Sequence, residues 1–244
     1  ATHGENRPWA RSANRLHWLL NQMETRMNGL IFDLDGTLID SAPDIQAAVN
    51  KMLAEEGISP LDLATVISFI GNGMPKLVER VLHAVQLPLE RHSALYEKTL
   101  LLYNQAPSAL SQPYEGVVEM LETLAAQGHR LAICTNKPAE PAQQILQDFN
   151  LERFFEVVVG GDSLSVKKPN PAPLQHCVAR LGASAALYIG DSEVDYETAQ
   201  RAQIPFIFFT GGYRKASAAF FQNAHHIDQF SAVPALADSL LKKP

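Results

Sequence analysis

The sequence predicts an α/β protein: a parallel sheet with helices on both faces and an all-helical block inserted after the first strand. Three observations carry this. Beyond Pro113, apolar runs of strand length alternate with stretches of helical periodicity. Between Asp40 and Gln112 no strand pattern is present, and apolar residues recur at helical spacing. Three of the apolar runs end in compact polar groups, as strands do when their carboxyl ends face a ligand.

In chain order, Gly29-Leu30-Ile31-Phe32 reads as the first buried strand. In the helical block, Ser41 is placed as an N-cap, Pro43 in a first turn and Gly57 past a helix end, with Ile45, Val49, Met52 and Leu53 as the stripe between them. A shorter helix falls within 61–69. Helices follow at 74–85, with Leu77, Val78, Val81 and Leu82 as its stripe, and at 89–104, with Leu95, Thr99, Leu102 and Tyr103. Residues 107–113 form a return linker, which with 40–43 marks the hinges of the block. Four helix–strand pairs then follow: 116–127 with 130–135, 141–149 with 157–159, 171–181 with 186–189, and 197–202 with 206–209.

The chemistry gathers where strands end. Asp33-Leu34-Asp35-Gly36-Thr37 places two carboxylates two positions apart, on one face of an ideal strand. Such a pair is repulsive and costly to desolvate unless a cation or a shared proton compensates. Gly36 permits a sharp turn and the close approach of a ligand. The competing reading is a plain polar turn. Thr135-Asn136-Lys137 and Gly190-Asp191-Ser192-Glu193-Val194-Asp195 end two further strands. Taken alone, Thr135 reads as a strand-end turn residue, Lys167-Lys168 as an exposed basic pair, and Asp195 equally as an orienting group or as a helix-start acid. Gly71-Asn72-Gly73 lacks the spacing of a Walker loop and reads as a turn opening a helix. Lys137 is left as solvent-facing or substrate-adjacent, and Tyr213-Arg214 as closing a surface loop. His225-His226 lack a third ligand nearby, so a metal site there is not expected.

In this order the Asp33/Asp35, Thr135, Lys168 and Asp191/Asp195 groups resemble the haloacid dehalogenase superfamily of phosphatases, from about Met27 to the C-terminus. The resemblance implies a Rossmann-like core at 27–39 and 113–244, a helical cap at 40–112, and an N-terminal extension at 1–26. It implies that Asp33 is a nucleophile forming an aspartyl-phosphate, and that Asp35 protonates the leaving alkoxide and then takes a proton from water. Mg2+ is the implied cofactor, held by Asp33, the backbone carbonyl of Asp35, and Asp191. Asp195 is implied to orient the site without touching the metal. Thr135 would bond a phosphoryl oxygen with help from the Asn136 amide. Lys168, directly before the proline, would neutralise phosphate charge and hold Asp33, with Lys167 as the competing candidate. In a capped phosphatase the amides at Gly71, Asn72 and Gly73 would meet the part of the substrate away from phosphorus, and a small carboxylate fits there, with Lys76 assisting.

Within the superfamily, residues 32–41, Ile70-Gly71-Asn72-Gly73, 167–171 and 188–192 resemble the phosphoglycolate phosphatases, with Asn170 and Phe69 departing from their usual histidine and tryptophan. The implied reaction is hydrolysis of 2-phosphoglycolate to glycolate and phosphate. A pyrophosphatase, a broad sugar-phosphate phosphatase or a phosphomutase of the same superfamily is the runner-up. Asp35 argues against a dehalogenase, and against a phosphonatase, whose Schiff-base lysine would have to be Lys51 or Lys76. A non-catalytic phospho-ligand binding module would more naturally have lost Asp33 or Asp35.

Composition bounds the size of the core and the class of partner. The 244 residues are 46% hydrophobic and 19% charged, enough for a sizeable core and against wholesale disorder. A net charge of −6 and a pI near 5.7 argue against nucleic acid as a partner. The two cysteines, Cys134 and Cys177, form no ligand cluster, and no long apolar span is visible, so no membrane partner and a cytoplasmic location are expected. The first 26 residues hold both tryptophans, Trp9 and Trp18, and an amphipathic helix is expected at 15–25. This extension reads as a docking helix, a targeting segment or, preferentially, sequence upstream of the true start.

Overall fold

The computed structural model describes residues 28–241, so the helix expected at 15–25 lies outside the described residues. Six strands form one parallel sheet in the order β5-β4-β1-β6-β7-β8: β1 (Asn28–Phe32), β4 (Arg130–Cys134), β5 (Phe155–Val159), β6 (Ala185–Gly190), β7 (Phe206–Phe209) and β8 (His225–Ile227). The chain builds outward from β1 on one side through β4 and β5, then returns to the other side for β6. That reversal opens a crevice at the carboxyl ends of β1, β4 and β6.

Successive strand residues face opposite sides of the sheet and enter two separate cores. Leu30, Phe32, Ile133, Leu187 and Ile189 pack with helices α5 (Val117–Ala126), α6 (Ala139–Asp148) and α9 (Val233–Leu241). Ile31, Ala132, Cys134, Tyr188 and Phe208 pack with α7 (Ala172–Leu181) and α8 (Glu193–Ala202). Both cysteines are buried there.

Between β1 and β4 lie α1 (Ala42–Glu55), α2 (Leu63–Ile67), α3 (Met74–Ala84) and α4 (His92–Asn104). The expected stripes of α1 and α3 are buried, as are Leu95, Thr99 and Tyr103 of α4. The two crossings into this block are tied together. β2 (Ile39–Asp40) pairs antiparallel with β3 (Gln112–Pro113). Buried Asp44 accepts from Leu110 N, Ser111 N and Ser111 Oγ, the last at 2.5 Å. No helix among the described residues is long and apolar enough to cross a membrane.

Four expectations need correction. The β2–β3 ribbon was not expected, because two-residue strands carry no alternation pattern. Helix α9 was also not anticipated. Helix α8 begins at Glu193 rather than 197, because Ser192 and Asp195 form a reciprocal capping box ahead of it. Ser41 stands at the N-cap of α1 but makes no capping bond; its hydroxyl is used elsewhere.

Candidate active site

The sequence-predicted groups of β1, β4 and β6 converge because the three strands are neighbours. Asp33 follows β1, and its amide donates to Ile189 O of β6 at 2.9 Å. The chain then turns tightly at Gly36, whose N–H donates to Ile39 O at 2.8 Å. Asp33 and Asp35 line the same cleft, as their spacing predicts.

Asp33 is held by Lys168. The Nζ atom lies 2.9 Å from Asp33 Oδ1 and 2.7 Å from Asp195 Oδ1. The contact to Asp33 is an ion pair, and beyond it the buried Oδ1 has no hydrogen-bond partner. Burial, and then the charge of Asp195, push the Asp33 carboxyl up to about 7 against the pull of Lys168. Burial would lower the Lys168 ammonium, but Asp195 and Asp33 outweigh it and raise it above the ordinary lysine value. Lys167 instead lies exposed and donates to Asn72 O.

Asp195 is fully buried and saturated. Its Oδ1 accepts from Lys168 and from the Tyr188 hydroxyl, and its Oδ2 from Ser192 N and Oγ. Burial works against its charge, but Lys168, Ser192 and Tyr188 outweigh it and hold the carboxyl below the usual range. Asp195 is therefore both a helix-start acid and the anchor of Lys168; the two readings of the sequence coincide.

Asp191 accepts from Thr37 Oγ1 and from Tyr213 N, each at 2.6 Å. Burial, with the charges of Asp195 and Asp33, raises it well above the carboxylate range. Tyr213 and Arg214 stand in a largely exposed loop, as expected, but the Tyr213 side chain turns inward and is buried. Its hydroxyl donates to Asp40 Oδ1 at 2.6 Å and accepts from Ala42 N, so it links Asp191 to the point where the chain enters the inserted helices. Gly211-Gly212 do form a turn, and what the sequence did not reveal is the close packing of Gly212: a Cβ there would overlap Asp191 and Gly36 O.

Carboxylate oxygens of Asp33, Asp191 and Asp195 lie within 4.8 Å of one another. Two of these carboxyls are pushed up by burial and mutual repulsion, and Asp33 Oδ1 is a buried acceptor lacking a hydrogen bond. That donor set suits a hard divalent cation with oxygen ligands. Since Asp195 is already saturated, the acceptors left to such an ion are Asp33 and Asp191.

Of the two readings of Lys137, solvent-facing or substrate-adjacent, the first fails: the residue is buried and lines the cleft, and its Nζ donates to both oxygens of Asp35 at 2.8 and 3.0 Å. The Tyr103 ring of α4 lies 4.7 Å away. Burial would lower this ammonium, but Asp35 and Tyr103 outweigh it and hold it above the usual lysine value. Asp35 Oδ1 also accepts from Ser41 Oγ at 2.5 Å, which is where the expected capping hydroxyl goes. The signal for Lys137 was its position two residues after Thr135, the same spacing that joins Asp33 and Asp35.

Thr135 is buried at the end of β4, and its Oγ1 accepts from Lys137 N. The Asn136 side chain donates to Gly71 O and Lys168 O, each at 3.1 Å. Core side chains thus reach three successive carbonyls of the inserted block: Lys215 Nζ meets Ile70 O at 2.7 Å, Asn136 meets Gly71 O, and Lys167 Nζ meets Asn72 O at 3.1 Å. Gly71 and Gly73 have φ of 116° and 84° and line the cleft. Asn72 does not line it; its side chain accepts from Arg80. Lys76 is drawn away into an exposed pair with Glu79. His225 and His226 sit on edge strand β8, outside the acidic cluster.

Comparison with known proteins shows what the chain is similar to. Residues 30–209 match the family model of the haloacid dehalogenase-like hydrolases. A phosphoglycolate phosphatase of Cereibacter sphaeroides is 47% identical over 192 residues, covering 78% of this chain and 88% of that protein. One from Rhodobacter capsulatus is 40% identical over 213 residues, covering 86% and 96%. The crystal structure of a predicted phosphoglycolate phosphatase from Haemophilus somnus superposes with a TM-score of 0.82 at 30% identity, over 87% of this chain and 99% of the other. By its sequence match, its relatives and its fold, the chain belongs to the haloacid dehalogenase-like hydrolases.

Proposed function

We propose that the protein hydrolyses 2-phosphoglycolate to glycolate and phosphate through an aspartyl-phosphate on Asp33. The observation that carries the chemistry is the shared cleft of two differently held carboxylates: Asp33 against Lys168, and Asp35 against Lys137 and Ser41. The substrate is supported by the named relatives and by the lining of the cleft. Ile45, Ile70, Met74, Leu77 and Leu100 offer few partners for the hydroxyls of a sugar.

In this account Asp33 attacks phosphorus, while Lys168 neutralises charge on the phosphoryl group and keeps the attacking carboxylate oriented. Asp35 gives a proton to the departing glycolate oxygen and later removes one from the water that cleaves the acyl phosphate. Thr135 and the Asn136 amide bind phosphoryl oxygens. Asp195 acts only by holding Lys168. Mg2+ would be held by Asp33, Asp191 and the Asp35 carbonyl, and when bound it supplies charge neutralisation between the nucleophile and the phosphoryl group. The segment 40–112 serves as a cap over the core at 27–39 and 113–244, with Gly71 and Gly73 letting its loop approach the glycolate end. The Asn72 side chain, turned toward Arg80, supports that loop rather than meeting substrate.

Rapid acid quench with [32P]2-phosphoglycolate and Mg2+ tests the mechanism. The expected result is a protein-bound, hydroxylamine-labile label that is absent from Asp33→Asn. Label on another residue, or full turnover by Asp33→Asn, contradicts it.

A further inference from the structure

The established superfamily chemistry leaves one buried cation without a task. Among the described residues that line the cleft between sheet and cap, Lys137 is the one with a cationic side chain. Lys168 is committed to Asp33 and Asp195. Lys76 is turned away to Glu79, and Lys215, which lines the adjoining recess beside Asp191 and Glu193, is held on Ile70 O. Most of the remaining cleft wall is apolar, so an anionic group entering it has few other partners.

The position of Asp35 fixes where that anion would lie. The general acid must be within hydrogen-bond reach of the ester oxygen it protonates. In a phosphate ester of glycolate, a single methylene separates that oxygen from the carboxylate. The carboxylate is therefore carried next to Asp35, and two neighbouring carboxylates are tolerated only with a cation between them. Lys137 Nζ stands 2.8 and 3.0 Å from the Asp35 oxygens. An ammonium has three donors, and two of them serve Asp35. The third faces Tyr103, whose ring centroid is 4.7 Å away and whose hydroxyl also bonds the ammonium, a neutral partner that an incoming carboxylate has to displace.

We infer that Lys137 reads the carboxylate of the substrate, which makes the site selective for phosphate monoesters carrying an anionic group one carbon from the ester oxygen. The inference rests on the proposed substrate. It assigns specificity to the core residue that also orients Asp35, with Tyr103 of the cap closing the far side. Substrate charge and the acid that protonates the leaving group are then sensed by one ammonium.

The test compares 2-phosphoglycolate with ethyl phosphate, which replaces the carboxylate by a methyl group, and with 2-aminoethyl phosphate, which places a cation near the same point. Wild-type kcat/KM should rank them in that order. Lys137→Met should lower turnover of all three through Asp35, but should cut the preference for 2-phosphoglycolate over ethyl phosphate by about 10- to 100-fold, the size of a lost charged hydrogen bond. Lys137→Arg should keep the preference. Equal losses on 2-phosphoglycolate and ethyl phosphate in Lys137→Met would overturn the assignment and leave Lys137 only a support for Asp35. If that variant does not fold, the wild-type ranking decides: 2-aminoethyl phosphate turned over as well as ethyl phosphate overturns it. A wild type that does not prefer 2-phosphoglycolate to ethyl phosphate defeats the substrate reading itself, a distinguishable outcome.

Discussion

Lys168 Nζ lies 2.7 Å from Asp195 Oδ1, and both side chains are sealed from solvent. The pair fixes the ammonium that faces Asp33. Asp195→Asn should leave Lys168 charged but loosely aimed, and should lower kcat by about 10- to 100-fold with little change in KM, as removing the support of a functional group does. Lys168→Met should cost more, because it also strips the cation from the nucleophile. Steady-state kinetics on both variants checks the order.

The raised Asp33 carboxyl makes the metal-free protein sensitive to pH. Its value of about 7 in the folded chain lies above the ordinary 3.8, so the folded state binds the proton more tightly. That stabilisation is fully present below the ordinary value and is lost as pH rises through about 7. In EDTA, the Tm of wild type should therefore fall more between pH 5 and pH 8 than that of Asp33→Asn. Calorimetry at the two pH values measures the difference, and parallel curves would count against it.

Asp191 should be a metal ligand and Asp195 should not. Mg2+ at a hundred times its Kd stabilises by about 2.7 kcal/mol. For a domain of this size that raises Tm by roughly 5–10 °C. Asp191→Asn should abolish this shift, whereas Asp195→Asn should retain most of it. Thermal scans with and without Mg2+ separate the two.

Gly36 has φ of 84°, and a Cβ there would lie 2.5 Å from Asp191 Oδ2. Gly36→Ala should both strain the turn and displace Asp191, costing about 1–3 kcal/mol of stability and most Mg2+-dependent activity. Urea denaturation together with an activity assay would detect a turn that tolerates the methyl group.

Much of this was legible in the sequence because parallel strands buried on both faces leave continuous apolar runs, and the ends of those runs advertise what they carry. Asp33, Thr135 and Asp191 follow three such runs, and the sheet order makes those runs neighbours. What stayed hidden depended on partners far apart in sequence. The Lys137–Asp35 pair spans 102 positions, Thr37–Asp191 154, and Tyr213–Asp40 173. No local periodicity encodes such contacts. Ser41 shows a subtler failure: the residue stands at the N-cap, but its side chain is turned to donate to Asp35 and its oxygen accepts from no helix amide.

The most direct test of the account is the initial rate of phosphate release, with and without Mg2+, from 2-phosphoglycolate, 3-phosphoglycerate, pyrophosphate and several sugar phosphates, with Asp33→Asn as the blank. The account predicts Mg2+-dependent release with a clear preference for 2-phosphoglycolate and none from the variant. Equal or greater turnover of pyrophosphate or sugar phosphates would contradict the assigned substrate, and release by Asp33→Asn at the wild-type rate would contradict the mechanism.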